Sequence, residues 1–157
     1  MNVGIGYDSH RLVAGRPLIL GGTTIPSEVG CTGHSDADAV AHALTDAILG
    51  AANAGNIGTM FPDTDSRWKD ADSIALLRSA YAAVQERGFR FRQADITIIL
   101  EQPRLGPYVD TMATALARAL DGGPDQISIK PKTNEGMGWI GRGEGVAVMA
   151  VATLDIP

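Results

Sequence analysis

The sequence predicts an α/β (α+β) fold, a single domain with a mixed four- to five-stranded sheet and helices packed on one side. Three observations carry this reading. Segments of β-branched, alternating character are interleaved with segments of helical periodicity, as in a sheet covered by helices. The 157 residues are enough for one hydrophobic core. No internal repeat, low-complexity tract or linker divides them, so residues 1–157 are read as one domain.

The elements follow in order. Residues 2–8, Asn-Val-Gly-Ile-Gly-Tyr-Asp, alternate Val3, Ile5 and Tyr7 with small or polar residues, a half-buried strand pattern. On that register Asp8 and His10 lie on the opposite face. Gly4 and Gly6 precede them there and leave room for another backbone or a ligand. A short strand is expected over 17–21. A helix is expected over 36–53, with Ser35 as N-cap and Asp38 as its capping-box partner. Its apolar stripe is Val40, Leu44, Ile48 and Ala51 with Ala43 and Ala47. A second helix, 71–87, carries Ile74, Leu77, Tyr81 and Val84 and stops at Gly88. Strand 94–100 is followed by a helix over 107–120 that begins with Pro107 and ends before Gly122-Gly123-Pro124. Strands over 126–132 and 145–154 complete the sheet. The longest irregular stretches, 56–70 and 133–145, are read as functional loops.

Composition narrows the function classes. A net charge of −5 and a pI of about 5.0 give no electrostatic support for nucleic-acid binding. The longest apolar run, Val146–Ala152, is too short to cross a bilayer and reads as a strand. Cys31 is the only cysteine, so no internal disulfide can form, which fits a reducing compartment. The first residues show neither a basic segment nor a long apolar stretch, so no export signal and a cytoplasmic location are expected.

The three histidines, His10, His34 and His42, all fall in the first 42 residues beside acidic or hydroxyl groups. Asp8 and His10, two apart on an extended strand, share a face and can reach one ion. His42 lies about 200° around its helix from Val40, at about 100° per residue, and so points off the apolar stripe. Asp38, His42 and Asp46 form one line on that helix, so a carboxylate one turn away could hold the second imidazole nitrogen. One carboxylate and two imidazoles suit zinc with an open fourth position. The alternative is a surface-turn His10 and a solvated His42.

Two loops extend the picture. Residues 133–145, Thr-Asn-Glu-Gly-Met-Gly-Trp-Ile-Gly-Arg-Gly-Glu-Gly, follow Lys130 and Lys132. Glycine-rich backbone and Arg142 suit an anion, and Glu135 suits magnesium bridged to substrate phosphates. A solvated glycine-rich hairpin is the competing reading. Residues 56–65, Asn-Ile-Gly-Thr-Met-Phe-Pro-Asp-Thr-Asp, read either as a lid or polyol-binding loop or as a turn leading to the next helix.

Taken together, Gly6-Tyr7-Asp8-Ser9-His10-Arg11, Gly33-His34-Ser35-Asp36-Ala37-Asp38, the helix with His42 and Asp46, Phe61-Pro62-Asp63-Thr64-Asp65, Lys132-Thr133-Asn134-Glu135 and Gly141-Arg142-Gly143-Glu144-Gly145 give the chain a family signature. From Gly4 to about Leu154 it resembles the 2-C-methyl-D-erythritol 2,4-cyclodiphosphate synthases of the non-mevalonate isoprenoid pathway. The resemblance implies a homotrimer with active sites between subunits. It implies a lyase that converts 4-diphosphocytidyl-2-C-methyl-D-erythritol 2-phosphate to the cyclodiphosphate and CMP. The family's zinc ligands match Asp8, His10 and His42. Its second ion, magnesium or manganese, matches Glu135. His34 and Thr133 match the residues that stabilise the transition state.

Substrate contacts implied by the resemblance include Asp8, Ser9, His10, His34 and Ser35. They also include Asn56, Ile57 and Gly58, and the loop Phe61, Pro62, Asp63, Thr64 and Asp65. Leu100, Glu101, Gln102, Pro103, Arg104, Leu105 and Gly106, with Pro131, Lys132, Thr133 and Asn134, match the cytidine pocket of the adjoining subunit. Glu135, Trp139 and Arg142 match further contacts. The chain departs from the usual pattern at three positions: Asn56 replaces Asp, Pro131 replaces Ala and Trp139 replaces Phe. Two other functions compete on the same residues. One is a non-catalytic trimer that senses an isoprenoid diphosphate. The other is a zinc phosphohydrolase using Asp38 or Asp46 as base.

Overall fold

Strand β1, Asn2–Ala14, runs well past the expected residue 8 because it pairs along its length with the last strand, β7, Gly145–Asp155, from Asn2↔Leu154 to Arg11↔Gly145. A computed structural model describes residues 1–157. β4, Val29–Cys31, pairs with the far end of β1 and was not foreseen. β5, Arg90–Ile99, lies antiparallel to β7 and parallel to β6, Ile127–Lys132. The mixed five-stranded order is β4-β1-β7-β5-β6. The expected strand over 17–21 is instead half of a separate hairpin, β2, Leu18–Leu20, with β3, Thr23–Ile25. Pro131, which cannot donate to a ladder, stands on the edge strand β6.

Helices α1, Ala39–Ala51, α3, Ser73–Glu86, and α4, Val109–Ala119, cover one face of the sheet. Helix α1 is capped by Asp38, whose carboxylate accepts from the N–H groups of Val40 and Ala41. It therefore starts later than expected, and Ser35 is not its cap. Both long loops contain short helical turns: α2, Ile57–Met60, and a 3₁₀ turn over Ser66–Trp68 in the first, and α5, Gly138–Gly141, in the second.

The closest packing in the fold is α1 on β1. A Cβ on Gly6 would lie 1.8 Å from the Ala43 carbonyl oxygen, and one on Gly4 would lie 2.0 Å from that of Ala47. Glycines on the strand and alanines on the helix thus let two backbones touch. The strand's apolar alternation points the other way. Val3, Ile5 and Tyr7 are exposed, Ile5 by 70%. They pair across the sheet with Thr153, Val151 and Met149, so an apolar sheet face is left uncovered within one chain.

Cys31 lies in the core beneath this packing. Burial, with the negative charges of Asp38 and Asp8 nearby, pushes its thiol up to about 12. Thiolate is the reactive form. Cys31 is therefore expected to resist a thiol reagent at neutral pH in the folded protein and to react once in denaturant. Labelling of the native protein at a free-cysteine rate would contradict that burial.

Candidate metal centre and flanking cavities

The close approach of α1 to β1 brings three side chains to one point. Asp8 and His10 project from β1 beyond Gly6, and His42 projects from α1 next to Ala43. Asp8 Oδ2 lies 2.8 Å from His10 Nε2 and 3.1 Å from His42 Nδ1, and the two ring nitrogens are 3.4 Å apart. These separations bracket the roughly 3.3 Å between ligands that tetrahedral zinc requires at Zn–N distances of about 2.0–2.1 Å. No other group of three His, Cys, Asp or Glu side chains converges in this way.

The donor chemistry fits a cation. His10 Nδ1 lies 2.9 Å from the Thr32 carbonyl, which only accepts, so Nδ1 carries hydrogen and the Nε2 lone pair faces the Asp8 carboxylate. Lone pairs aimed at one another need a positive charge between them. Burial works against charge on both Asp8 and His10. It is the largest single influence on each, but the hydrogen bonds and charge interactions within the trio, with the Thr32 carbonyl and Asp38 adding to them at His10, together exceed it and hold Asp8 below and His10 above their ordinary values.

The expected carboxylate partners of His42 are elsewhere. Asp38 is 0% exposed and accepts from the N–H groups of Gly21, Gly22, Val40 and Ala41. It joins the β2–β3 hairpin to α1 and does not reach His42. Burial pushes its carboxyl up while those donors oppose the shift. Asp46 accepts from Ile57 N–H at 2.7 Å and is likewise raised, chiefly by burial. His42 Nε2 instead meets Ser73 Oγ at 2.8 Å and Ser35 Oγ at 3.1 Å. His42 is thus part-buried within the site, not solvated. Ser73 and Asp36, which holds it, were missed as site residues. The only signal was the Asp72-Ser73 helix start, because 31 residues separate Ser73 from His42.

A cavity of about 420 Å³ opens beside the trio and is lined by His10, His34, Ser35, His42, Ile57, Gly58, Phe61, Pro62 and Asp63, with Trp68 and Leu76 added. His34 Nε2 donates to the Asp65 carbonyl, tying it to the 61–65 loop. Asp65 itself is held below the ordinary carboxylate value by hydrogen bonds from Arg67. Asn56 caps α2 by accepting from Thr59 N–H, and its own N–H meets Thr59 Oγ1. An amide in place of carboxylate is therefore structurally accommodated there.

A second cavity, about 390 Å³, is lined by Leu100, Glu101, Pro103 to Gly106, Pro131, Lys132 and Thr133. It shares no residue with the first, so one chain does not bring His34 and Thr133 into one cavity. Glu101 accepts from Asn134 N–H, which fixes the 133–135 turn over this cavity. Glu135 is exposed at a positive φ of 53°. Ser9 and Trp139 line a third cleft with Arg11 and Glu144, and Arg142 pairs with Glu144 beside it. Gln102 and Thr64 line none of these.

Fold and site define a small α/β protein with an Asp-His-His cluster fitted to a divalent metal at a cavity mouth. The profile of the YgbB family matches residues 1–155, and the chain belongs to that family. It is 54% identical over 155 residues to the 2-C-methyl-D-erythritol 2,4-cyclodiphosphate synthase of Salinibacter ruber, covering 99% of each. It is 54% identical over 154 residues to that of Moorella thermoacetica, covering 98% of this chain and 94% of the relative. A solved 2C-methyl-D-erythritol-2,4-cyclodiphosphate synthase in its CDP-bound form superposes with a TM-score of 0.89 at 44% identity, covering 98% of this chain and 99% of that one. The bifunctional IspDF of Campylobacter jejuni superposes with a TM-score of 0.95 at 42% identity over 99% of this chain, which spans 42% of that longer protein.

Proposed function

We propose that this chain performs the reaction for which its relatives are named. It closes 4-diphosphocytidyl-2-C-methyl-D-erythritol 2-phosphate to the 2,4-cyclodiphosphate with release of CMP, in the non-mevalonate isoprenoid pathway. The observation that carries the proposal is the convergence of Asp8, His10 and His42 beside a cavity that also holds His34 and Ser35.

An oxygen of the 2-phosphate forms a bond to the β-phosphorus. The bond from that phosphorus to the bridging oxygen breaks, and CMP leaves with the electron pair. The attacking group is already anionic, so no protein nucleophile is needed, and the obstacle is repulsion between phosphates. Asp8, His10 and His42 would hold a divalent ion, zinc by their donor set, which would supply positive charge and Lewis acidity there. Glu135 would hold magnesium or manganese, which would offset phosphate charge.

The chain's own groups position the substrate. Ser35 Oγ accepts from Ala37 N–H and keeps its own hydrogen for a phosphate oxygen. Ile57, Gly58, Phe61 and Pro62 wall the polyol end, and the Lys132–Thr133 cavity receives the cytidine phosphate end. The uncovered face of Val3, Ile5, Tyr7, Met149 and Val151 and the disjoint cavities support a homotrimer in which one subunit's cytidine cavity completes its neighbour's metal site. Residues 1–157 then act as one catalytic domain. No helix is long and apolar enough to cross a membrane, and we assign the enzyme to the cytoplasm.

A hydrolase using Asp38 as base is disfavoured, because that carboxylate is fully buried among N–H donors. Chelator-stripped protein is expected to release no CMP from the cytidyl substrate, and zinc with magnesium to restore release. Unchanged turnover after stripping, or hydrolysis without cyclodiphosphate, would overturn the proposal.

A further inference from the structure

We propose that Ser73 and Asp36 form a hydroxyl–carboxylate relay that fixes which nitrogen of His42 faces the metal, making both of them positioning residues for that ligand. The inference rests on the metal reading of the Asp8, His10 and His42 site.

The direction of each hydrogen bond follows from donor chemistry. The Asp36 carboxylate only accepts. It receives Ser73 N–H on Oδ2 at 3.1 Å and the Ser73 hydroxyl on Oδ1. With its hydrogen committed to Asp36, Ser73 Oγ can offer His42 only a lone pair. It lies 2.8 Å from His42 Nε2, so Nε2 must carry the hydrogen. Nδ1 is then left unprotonated, and it is Nδ1 that faces Asp8 and His10. Ser35 Oγ, at 3.1 Å, is the more distant hydroxyl and already accepts from Ala37 N–H.

The relay is held on every side. Ser73 is 0% exposed at the start of α3. Asp36 N–H donates to the Ala71 carbonyl, and Asp36 Oδ1 also accepts from Asp38 N–H. His10 is set the opposite way, with Nδ1–H on the Thr32 carbonyl and Nε2 toward the site. The two imidazoles therefore present different nitrogens, each selected by a partner outside the ligand trio. Such partners of a ligating histidine typically contribute about 10- to 100-fold in metal affinity.

The test is zinc affinity, measured by competition with a chromogenic chelator at fixed pH, for the full chain and for Ser73→Ala and Asp36→Asn. Nitrogen-15 NMR of His42 in the zinc-loaded protein is read alongside. The relay predicts a protonated Nε2 in the parent and about a 10- to 100-fold loss of zinc affinity in Ser73→Ala. It also predicts a smaller loss, threefold or more, in Asp36→Asn. If Ser73→Ala does not fold, Asp36→Asn decides by the same threshold. Losses below threefold in every folded variant, or an Nε2 without hydrogen in the parent, overturn the relay. Failure of the parent to bind zinc overturns the metal reading itself, and the relay with it.

Discussion

Replacing His42 with alanine is expected to abolish zinc binding and to lower kcat/KM by about 10³-fold or more, while the chain stays folded. Asp8 and His10 alone offer two ligands, too few to hold zinc against water in a catalytic site. The charge stabilisation then lost is several kcal/mol, and about 4 kcal/mol corresponds to roughly 10³ in rate. The fold should survive because α1 packs through Val40, Ala43, Leu44, Ala47 and Ile48, whereas the His42 ring makes polar contacts to Asp8, Ser35 and Ser73. Metal content, CMP release and a thermal melt measure the three parts. A variant that keeps zinc, or one that unfolds, would show that His42 packs rather than ligates.

Gly6→Ala is expected to cost at least about 3 kcal/mol, since the new methyl would meet the Ala43 carbonyl oxygen at 1.8 Å and the Ala47 nitrogen at 2.9 Å. Both are helix backbone and cannot rotate aside. The helix must lift from β1, which corresponds to a fall of roughly 6–12 °C in Tm for a chain of this size. The same shift carries His42 away from Asp8 and His10, so zinc affinity should fall with stability. Arg11→Ala, on the same strand but exposed, is the control and should leave the melt unchanged. A Gly6→Ala protein with parental Tm would mean that α1 does not ride directly on β1.

Much of the site was legible in the sequence because its spacing is local. Asp8 and His10 share a strand face whatever the rest of the chain does, and His42 sits one helical step from the alanines that touch that strand. The alternation of Val3, Ile5 and Tyr7 correctly separated them from the face that carries Asp8 and His10. Periodicity, however, reports two faces without saying which one the chain itself covers. Here the glycine side carries the helix and the apolar side is left open.

The helix start was misplaced because Ser35 and Asp38 both suit an N-cap. Asp38 takes the role because Gly21 and Gly22, donors from a distant hairpin, fix its carboxylate. His42 was given a partner on its own helix by the same local logic. Its true partner, Ser73, comes from another helix start, and no spacing rule reaches across 31 residues. The pairing of His34 with Thr133 was read from resemblance alone, and one chain keeps them in separate cavities.

X-ray absorption at the zinc edge on the zinc-loaded protein tests the central claim most directly. The account predicts one zinc per chain bound to two imidazole nitrogens and one carboxylate oxygen at about 2.0–2.2 Å, with a light atom from solvent or substrate in the fourth position. Zinc coordinated by fewer than two imidazoles, or spectra unchanged by His42→Ala, would contradict it.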